Sequence, residues 1–314
     1  MNTEHFGPLN AHNIGSLMRD AVLRACAVIR AQRFSFTSEE KTVEYKSDID
    51  YVTSADRKAQ EIYLEFLKNN FPGFGIIAEE DDLFTDAAPY REPNTDIDHF
   101  YFFTIDPLDG TKAFKRKQSD GFSSMLGLIH YCPKLEICEV IGACIGDPMT
   151  NELFYTRPGS LRVHQLDQYS REREILSFDI TTDPKSIYVH IRDNPDNFSG
   201  IGRKMCNGSS PESFFKDYEL QGGSIGISFA KLWKGQYGGL LLKPGKTTVW
   251  DTAPIVGICK KLGFVPMELN ETTGRYEQGE FKVISTRDYI PQKETLIINE
   301  SLVEKLMTWQ QQLN

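Results

Sequence analysis

Apolar residues in the first 80 positions follow helical spacing twice and strand spacing once. Residues 14–30 carry apolar side chains at every third or fourth position, which is the period of an amphipathic helix. Residues 55–69 repeat this pattern, and Phe71-Pro72-Gly73 is a signal for the end of that helix. Residues 75–78 form a short apolar run of the kind that buried strands show. We therefore predict two helices followed by a strand.

Strands dominate the predicted structure after residue 98, and helices return in the second half. The strand predictions cover 100–105, 123–129, 140–146, 152–156, 187–191, 240–242 and 282–285. The helix predictions of the second half cover 229–234, 252–262 and 295–311. Because these elements interleave without a regular β-α-β rhythm, they favour layers of sheet and helix over a barrel or a doubly wound sheet. Pro158-Gly159 is a turn signal, and we place a boundary there between residues 1–157 and 158–314.

The composition narrows the class of protein. The chain has 314 residues, of which 40% are hydrophobic, so it can bury a large core and is not a disordered chain. Its 44 acidic residues outnumber its 35 basic residues, which argues against a general nucleic-acid partner. The apolar runs are strand-sized and the N-terminus is polar, so we predict no membrane partner and a cytoplasmic location. The six cysteines include no C-x-x-C pair and are predicted to be free, buried thiols.

The segment of residues 104–112 carries the clearest chemistry. An apolar strand runs directly into Asp106 and Asp109, with Pro107 between them. Gly110 allows a tight turn and a close approach of a ligand to the backbone. A helix that begins at Thr111 would direct its free N–H groups to the same place, where an anion such as phosphate binds. Carboxylates beside an anion site fit a metal-dependent phosphatase, although this segment alone also fits a turn in which an aspartate caps a helix.

Three further acidic groups occur in the order that one family shows. Taken singly, Glu79-Glu80, Trp250-Asp251 and Asp56 also fit an acidic loop or helix caps. Together with residues 104–112, this order resembles the inositol monophosphatase superfamily, a group of Mg²⁺-dependent, lithium-sensitive phosphatases that includes the fructose-1,6-bisphosphatases. The matching pattern is Asp50-x-Val-Thr-x-x-Asp56, Glu79-Glu80, Asp106-Pro-Leu-Asp109-Gly-Thr111 and Trp250-Asp251, and it covers residues 46–263.

The resemblance implies an α+β fold, a layered α-β-α-β-α sandwich with a metal site between two halves. The half 1–157 would carry most metal ligands, and 158–314 would carry Asp251 and the substrate contacts. The implied ligands are four carboxylates and one backbone carbonyl: Glu79, Asp106, Asp109, Asp251 and the carbonyl of Leu108. Because all of these ligands are oxygens, they suit two or three Mg²⁺ ions, with Mn²⁺ as an alternative.

The resemblance also implies roles in catalysis and substrate binding. A metal-activated water would attack the phosphate in line, oriented by Thr111, which Asp56 would hold. Glu80 would position water. No nucleophilic cysteine or histidine is needed. The implied substrate contacts are Asp109, Gly110, Thr111, Gly223, Ser224, Lys246 and Asp251.

The favoured substrate is a nucleotide 3',5'-bisphosphate. Lys112 after the Asp-Gly-Thr element, the Trp250-Asp251-Thr252-Ala253 segment and the basic residues that follow Lys112 resemble the 3'(2'),5'-bisphosphate nucleotidase branch. Ala113 and Lys234 depart from the pattern of that branch, which has glutamate at these places. Inositol or another sugar monophosphate, histidinol phosphate, and a non-catalytic protein that binds phosphate esters are the alternatives. The sequence does not distinguish a monomer from a homodimer, and the acidic residues 80–98 are predicted to form an exposed loop.

Overall fold

Both N-terminal helices form as predicted. The structure is a computed structural model that describes residues 9–41, 50–80, 99–175, 183–284, 286 and 288–313. Helix α1 is Ala11–Gln32 and helix α2 is Ser54–Asn70, and in sequence they flank an antiparallel hairpin of β1 (Ser38–Lys41) and β2 (Asp50–Thr53). The side chains of Asn10 and Thr53 accept hydrogen bonds from amides of the first helical turns. They satisfy donors that a helix start otherwise leaves without a partner.

The first large sheet has seven strands that follow one another in the order of the chain. The strands are β3 (Gly75–Ala78), β4 (Phe100–Asp109), β5 (Ser123–Cys132), β6 (Ile137–Gly146), β7 (Leu153–Thr156), β8 (Val163–Leu166) and β9 (Glu172–Ile175). β3 and β4 are parallel, and the later neighbouring pairs are antiparallel. The short helix α3 (Thr111–Lys115) follows β4. The sheet thus continues beyond residue 157, and the division of the chain at that residue stays a prediction.

The second large sheet has six strands: β10 (Val189–Ile191), β11 (Tyr218–Leu220), β12 (Gly239–Leu242), β14 (Phe264–Asn270), β15 (Arg275–Gln278) and β17 (Thr295–Asn299). Their order across the sheet is β11-β10-β12-β17-β14-β15. β10, β11 and β12 are parallel, so their carboxyl ends meet at one edge of the sheet. A separate two-stranded ladder pairs β13 (Gly245–Thr247) with β16 (Ile290–Gln292).

Helices form three layers around the two sheets. The remaining helices are α4 (Gly200–Cys206), α5 (Ile225–Trp233), α6 (Val249–Cys259) and α7 (Val303–Gln312). α1 and α2 pack on the seven-stranded sheet in one apolar cluster, and α5 and α6 share a second cluster with both sheets. α4 and α7 pack on the outer face of the six-stranded sheet in a third. The predicted α-β-α-β-α sandwich is therefore confirmed. Within the described ranges, no helix has the length and hydropathy that a membrane span requires.

Two predicted elements of the C-terminal region are wrong. A helix was expected over 295–311, but Thr295–Asn299 is strand β17 and α7 begins at Val303. The run Thr-Leu-Ile-Ile is buried on both faces between β12 and β14, and such a run has no period by which to tell strand from helix. The expected strand 282–285 is absent over 282–284, and Ser285 lies outside the described residues. The acidic segment after Glu80, residues 81–98, also lies outside them.

The cysteines are mostly buried, as predicted, and one histidine lies in the core. All six cysteines are free, and five of them are buried. His190 is buried in the middle of β10, where its ring stacks on Tyr237 with centroids 4.8 Å apart. Its Nε2 lies 3.1 Å from the hydroxyl of Ser228. Burial, followed by the charges of Arg192 and Lys231, lowers the pKa of His190 to about 4. This histidine is a neutral core residue at pH 7.

His190 should make stability depend on acidity. The unfolded chain binds a proton there below about pH 6.5, but the folded chain does so only near pH 4. The stability from this difference is present above pH 6.5 and is lost as the pH falls toward 4, by an amount on the order of 2 kcal/mol. Urea denaturation at pH 7, 5.5 and 4.5 should show a smaller loss for His190→Gln than for the wild type. His12→Gln, on an exposed position of α1, is the control and should match the wild type; an equal loss in His190→Gln would contradict the assignment.

Candidate active site

A β-bulge at the end of β4 turns two aspartates to the same side of the sheet. Asp106 pairs with Met125 and Asp109 pairs with Ser123. A separation of three residues in β4 therefore lies opposite a separation of only two residues in β5. In a regular strand, residues three apart point to opposite faces. The extra residue of the bulge shifts the alternation of side chains by one position, so that Asp106 and Asp109 can point to the same face. The bulge therefore brings both carboxylates to one place.

Asp251 joins them from the first turn of α6, where its Oδ2 accepts a hydrogen bond of 2.8 Å from the Thr248 hydroxyl. One oxygen from each of Asp106, Asp109 and Asp251 lies within 4.8 Å of the others. The structure thus brings together three of the four predicted carboxylate ligands. Asp106 and Asp251, the two that are farthest apart in the sequence, are separated by about 145 residues.

The three aspartates fit a hard divalent cation. Oδ1 of Asp106 is buried without a hydrogen-bond partner among the described residues. Burial, together with the charges of Glu79, Asp109 and Asp251, raises the pKa of Asp106 well above its usual value. Oδ2 of Asp109, in contrast, is fixed by the Gly226 amide at 2.8 Å and by the hydroxyls of Ser123 and Ser224. Carboxylates this close repel one another unless a cation lies between them, and an all-oxygen set suits Mg²⁺ or Mn²⁺.

Glu79 and Glu80 lie beside this cluster and are bound by a lysine. Nζ of Lys41 lies 2.8 Å from Glu79 Oε1 and 2.9 Å from Glu80 Oε1. Glu79 is not among the three residues whose oxygens come within 4.8 Å, but it lines the same cavity. Glu80 is buried outside the cavity lining, where Gln60 bonds its backbone, and burial followed by the charge of Glu79 raises its pKa to about 8. The contact of Lys41 was not predicted, because it depends on the β1–β2 hairpin.

Asp56 and Thr111 meet as the resemblance implies. Oγ1 of Thr111 lies 3.0 Å from Asp56 Oδ1 and 3.0 Å from the carbonyl oxygen of Leu108. The other oxygen of Asp56 accepts hydrogen bonds from the amide and hydroxyl of Thr53, the residue that caps α2. Burial is the main cause that raises the pKa of Asp56 to about 7. The helix cap of α2 and the end of β4 thus share one buried hydrogen-bond network.

Two glycines, Gly110 and Gly223, allow backbone segments beside the site to approach each other closely. Gly110 has φ 90° and Gly223 has φ 102°, in the left-handed region that favours glycine. A Cβ at either position would lie within 2.6 Å of the carbonyl oxygen of Gly121. Ser224 donates its amide to this same carbonyl at 2.8 Å, caps α5 and bonds Asp109 through its hydroxyl. The turn that contains Gly223 and Ser224 therefore holds a candidate metal ligand in place.

A cavity of about 590 Å³ extends from the aspartates to the carboxyl edge of β10 and β12. Its cationic side consists of Lys112, Arg192, Lys243 and Lys246. Lys243 is paired with Asp193, and Nζ of Lys246 lies 3.9 Å from the ring centroid of Tyr289. Sequence reasoning missed Arg192, because the sequence predicts the strand before it but not the neighbours of that strand in the sheet.

Comparison with known proteins identifies the family of the chain. The model of the inositol monophosphatase family matches residues 16–308. The chain belongs to this family. It is similar to Nus factor SuhB of Xylella fastidiosa, with 31% identity over 37% of this chain and 35% of that protein. It is also similar to the inositol-1-monophosphatase of Rhizobium meliloti, with 31% identity over 37% of this chain and 38% of that protein. The matches therefore span less than half the length of these relatives.

Solved structures share the fold over nearly the whole chain. Inositol monophosphatase from Anabaena has a TM-score of 0.60 and 19% identity, with 96% of each chain covered. A dual specific IMPase/NADP phosphatase bound with D-inositol-1-phosphate has a TM-score of 0.63 and 16% identity, with 95% of each chain covered. At these identities the likeness establishes the fold.

Neutralising Asp106 should stabilise the metal-free protein. Asp106→Asn removes one of three repelling carboxylates and should raise the free energy of unfolding without metal by about 1 kcal/mol or more. The same change should reduce the rise in Tm that Mg²⁺ causes in the wild type, because a ligand that binds only the folded state stabilises it. Thermal denaturation with EDTA and with Mg²⁺ tests both effects. Asp20→Asn, which removes an exposed charge on α1, should behave like the wild type, and an Asp106→Asn protein with an undiminished Mg²⁺ response would contradict the prediction.

Proposed function

We propose that this protein is a Mg²⁺-dependent phosphomonoester hydrolase whose favoured substrate is a nucleotide 3',5'-bisphosphate such as adenosine 3',5'-bisphosphate. The observation that carries the proposal is the cavity itself, which is lined both by Asp106, Asp109 and Asp251 and by the cationic side. Its volume of about 590 Å³ is in the range of small-molecule sites. A phosphate ester needs cations at the reacting phosphate and a donor for each further anionic group.

The acidic side would hold the metal. Asp106, Asp109 and Asp251 supply carboxylate oxygens, and we assign Glu79 and the carbonyl of Leu108 as further donors. Bound Mg²⁺ ions, two or three in number, would supply an activated water and stabilise the charge on the leaving oxygen. The half 1–157 carries most of these ligands, and the half 158–314 carries Asp251 and three of the four cationic residues, Arg192, Lys243 and Lys246.

The residues of the chain orient the water and the phosphate. Thr111 has one hydroxyl proton and two acceptors at 3.0 Å, Asp56 and the carbonyl of Leu108, so its oxygen is held in a fixed position. We assign to it the orientation of the attacking water, to Gly110 and Thr111 the binding of the phosphate, and to Glu80 the placement of a further water. Gly223 lines the cavity, and we assign to it a substrate contact. Ser224 is buried outside the cavity lining, so it would act on the substrate through Asp109, which its hydroxyl bonds.

The cationic side distinguishes the candidate substrates. Lys112, Arg192 and Lys246 line the cavity, and a second phosphate would complement them, whereas inositol or histidinol monophosphate offers no second phosphate. Inositol monophosphatase is the alternative function, because relatives such as that of Rhizobium meliloti carry this name. We place the enzyme in the cytoplasm and expect inhibition by lithium.

Substrate preference tests the proposal. Phosphate release should require Mg²⁺, fall with lithium, and proceed with a kcat/KM at least about 10-fold higher for adenosine 3',5'-bisphosphate than for inositol 1-phosphate or histidinol phosphate, since a charged second contact contributes a tenfold or larger factor. Fructose 1,6-bisphosphate also carries a second phosphate, so a preference over this sugar would show that the enzyme recognises the nucleoside as well. A preference for inositol 1-phosphate would establish the alternative function. Binding of phosphate esters without turnover would show a non-catalytic protein.

Thr111 can be tested with a matched pair of variants. Thr111→Val keeps the shape but removes the hydroxyl, and it should lower kcat by about 100-fold or more, the range for a positioned proton-transfer group. Thr111→Ser keeps the hydroxyl and should lose about 10-fold at most. The expected signature is a loss in kcat with little change in KM. Equal losses in the two variants would contradict the assignment, because Thr111→Ser keeps the hydroxyl and loses only the methyl group.

A further inference from the structure

Arg192 stands at the meeting point of three parallel strands. It directly follows β10, while Gln221-Gly222-Gly223 follows β11 and Lys243 follows β12. Because these strands are parallel, all three connections leave from the same edge of the sheet. In open sheets, ligands bind in the crevice outside such carboxyl ends. The residues at this edge line the same cavity as the three aspartates.

Arg192 is partly buried as a residue, and one backbone contact holds its guanidinium. Nη2 donates to the carbonyl oxygen of Gly223, and Nε is buried without a hydrogen-bond partner among the described residues. The salt bridges of the described ranges do not include Arg192, whereas the neighbouring Lys243 is paired with Asp193. Arg192 therefore supplies a fixed positive charge that no direct ion pair in this part of the chain neutralises.

The charge of Arg192 is partly balanced by the aspartates of the candidate metal site. Asp109, Asp251 and Asp193 act on it electrostatically and oppose the lowering of its pKa by burial. Cations bound to Asp109 and Asp251 would remove most of that balance, because the same carboxylates cannot neutralise both. In the loaded site only Asp193, which is already paired with Lys243, would still balance the guanidinium, and a planar guanidinium matches the oxygens of a phosphate.

We propose that Arg192 is the residue that selects substrates with a second phosphate, by binding the phosphate that is not hydrolysed. This inference rests on the proposed function and assigns a residue that the sequence motifs do not contain. Lys112 and Lys246 lie on other elements of the cavity lining, so they assist but do not replace the fixed guanidinium. The reacting phosphate remains with the aspartates.

A pair of substrates separates the two phosphates. Adenosine 3',5'-bisphosphate and adenosine 3'-monophosphate share the phosphate to be released and differ only in the second one. The wild type should prefer the bisphosphate in kcat/KM by about 10- to 100-fold, the factor expected for a hydrogen-bonded charge pair. Arg192→Gln should lose most of this preference by losing activity on the bisphosphate, with a change of less than about 3-fold on the monophosphate.

Arg203→Gln is the matched control, because Arg203 is exposed on α4 and does not line the cavity. It should keep the preference of the wild type.

Equal losses of Arg192→Gln on both nucleotides, accompanied by weaker Mg²⁺ binding in calorimetry, would overturn the inference. Arg192 would then act only by holding Gly223 and, through Ser224, Asp109. If Arg192→Gln does not fold, Arg192→Lys, which keeps the charge but not the planar group, should lose at least about 3-fold of the preference.

A binding measurement separates this inference from the proposed function. Adenosine 5'-monophosphate carries only the second phosphate, and it can be titrated in the presence of Mg²⁺ and saturating inorganic phosphate, which occupies the metal site. The wild type should bind it at least about 10-fold more tightly than adenosine, and Arg192→Gln should not. This result without hydrolysis of the bisphosphate would support Arg192 and refute the nucleotidase. Equal binding of both ligands by the wild type would overturn the role of Arg192 whatever the enzyme hydrolyses.

Discussion

Repulsion between three carboxylates is the constraint on which the site depends. Oxygens of Asp106, Asp109 and Asp251 lie within 4.8 Å of one another, and such proximity is unfavourable in the absence of a cation. The fold maintains it with a bulge in β4 and with the first turn of α6, which belong to different layers of the sandwich. The hydrophobic clusters on both sides of the seven-stranded sheet supply the stability that holds these elements together. The favourable free energy of packing in these clusters thus offsets the unfavourable repulsion between the three carboxylates.

The acidic part of the site was predictable because its residues occur in short motifs. The segment Asp106-Pro-Leu-Asp109-Gly-Thr places two carboxylates and a turn within six residues, and local geometry determines how they lie. Asp56 and Thr111 are far apart in sequence, yet each lies at a helix start that its neighbours predict. For these residues, the order of motifs and the helix signals were sufficient.

The cationic part depends on strand order, and the sequence does not contain that order in any short segment. Arg192, Gly223 and Lys243 come together because β10 lies between β11 and β12, an arrangement produced by long-range pairing. The error over 295–311 has a related cause. A run such as Leu-Ile-Ile is compatible with a strand or a helix, and only its place between β12 and β14 decides for the strand. Likewise, the contact of Lys41 with Glu79 and Glu80 depends on the hairpin register.

The hydrogen bonds to Asp109 have a consequence for cooperativity. This carboxylate belongs to the seven-stranded sheet, but the Ser224 hydroxyl and the Gly226 amide that fix its Oδ2 come from the start of α5, between the sheets. A separation of the layers would break these bonds and misplace the ligand. Metal affinity and the association of the two sheets are therefore thermodynamically linked, so that each favours the other by the same free energy. Although each sheet also has an apolar cluster of its own, the loaded protein would melt as one unit.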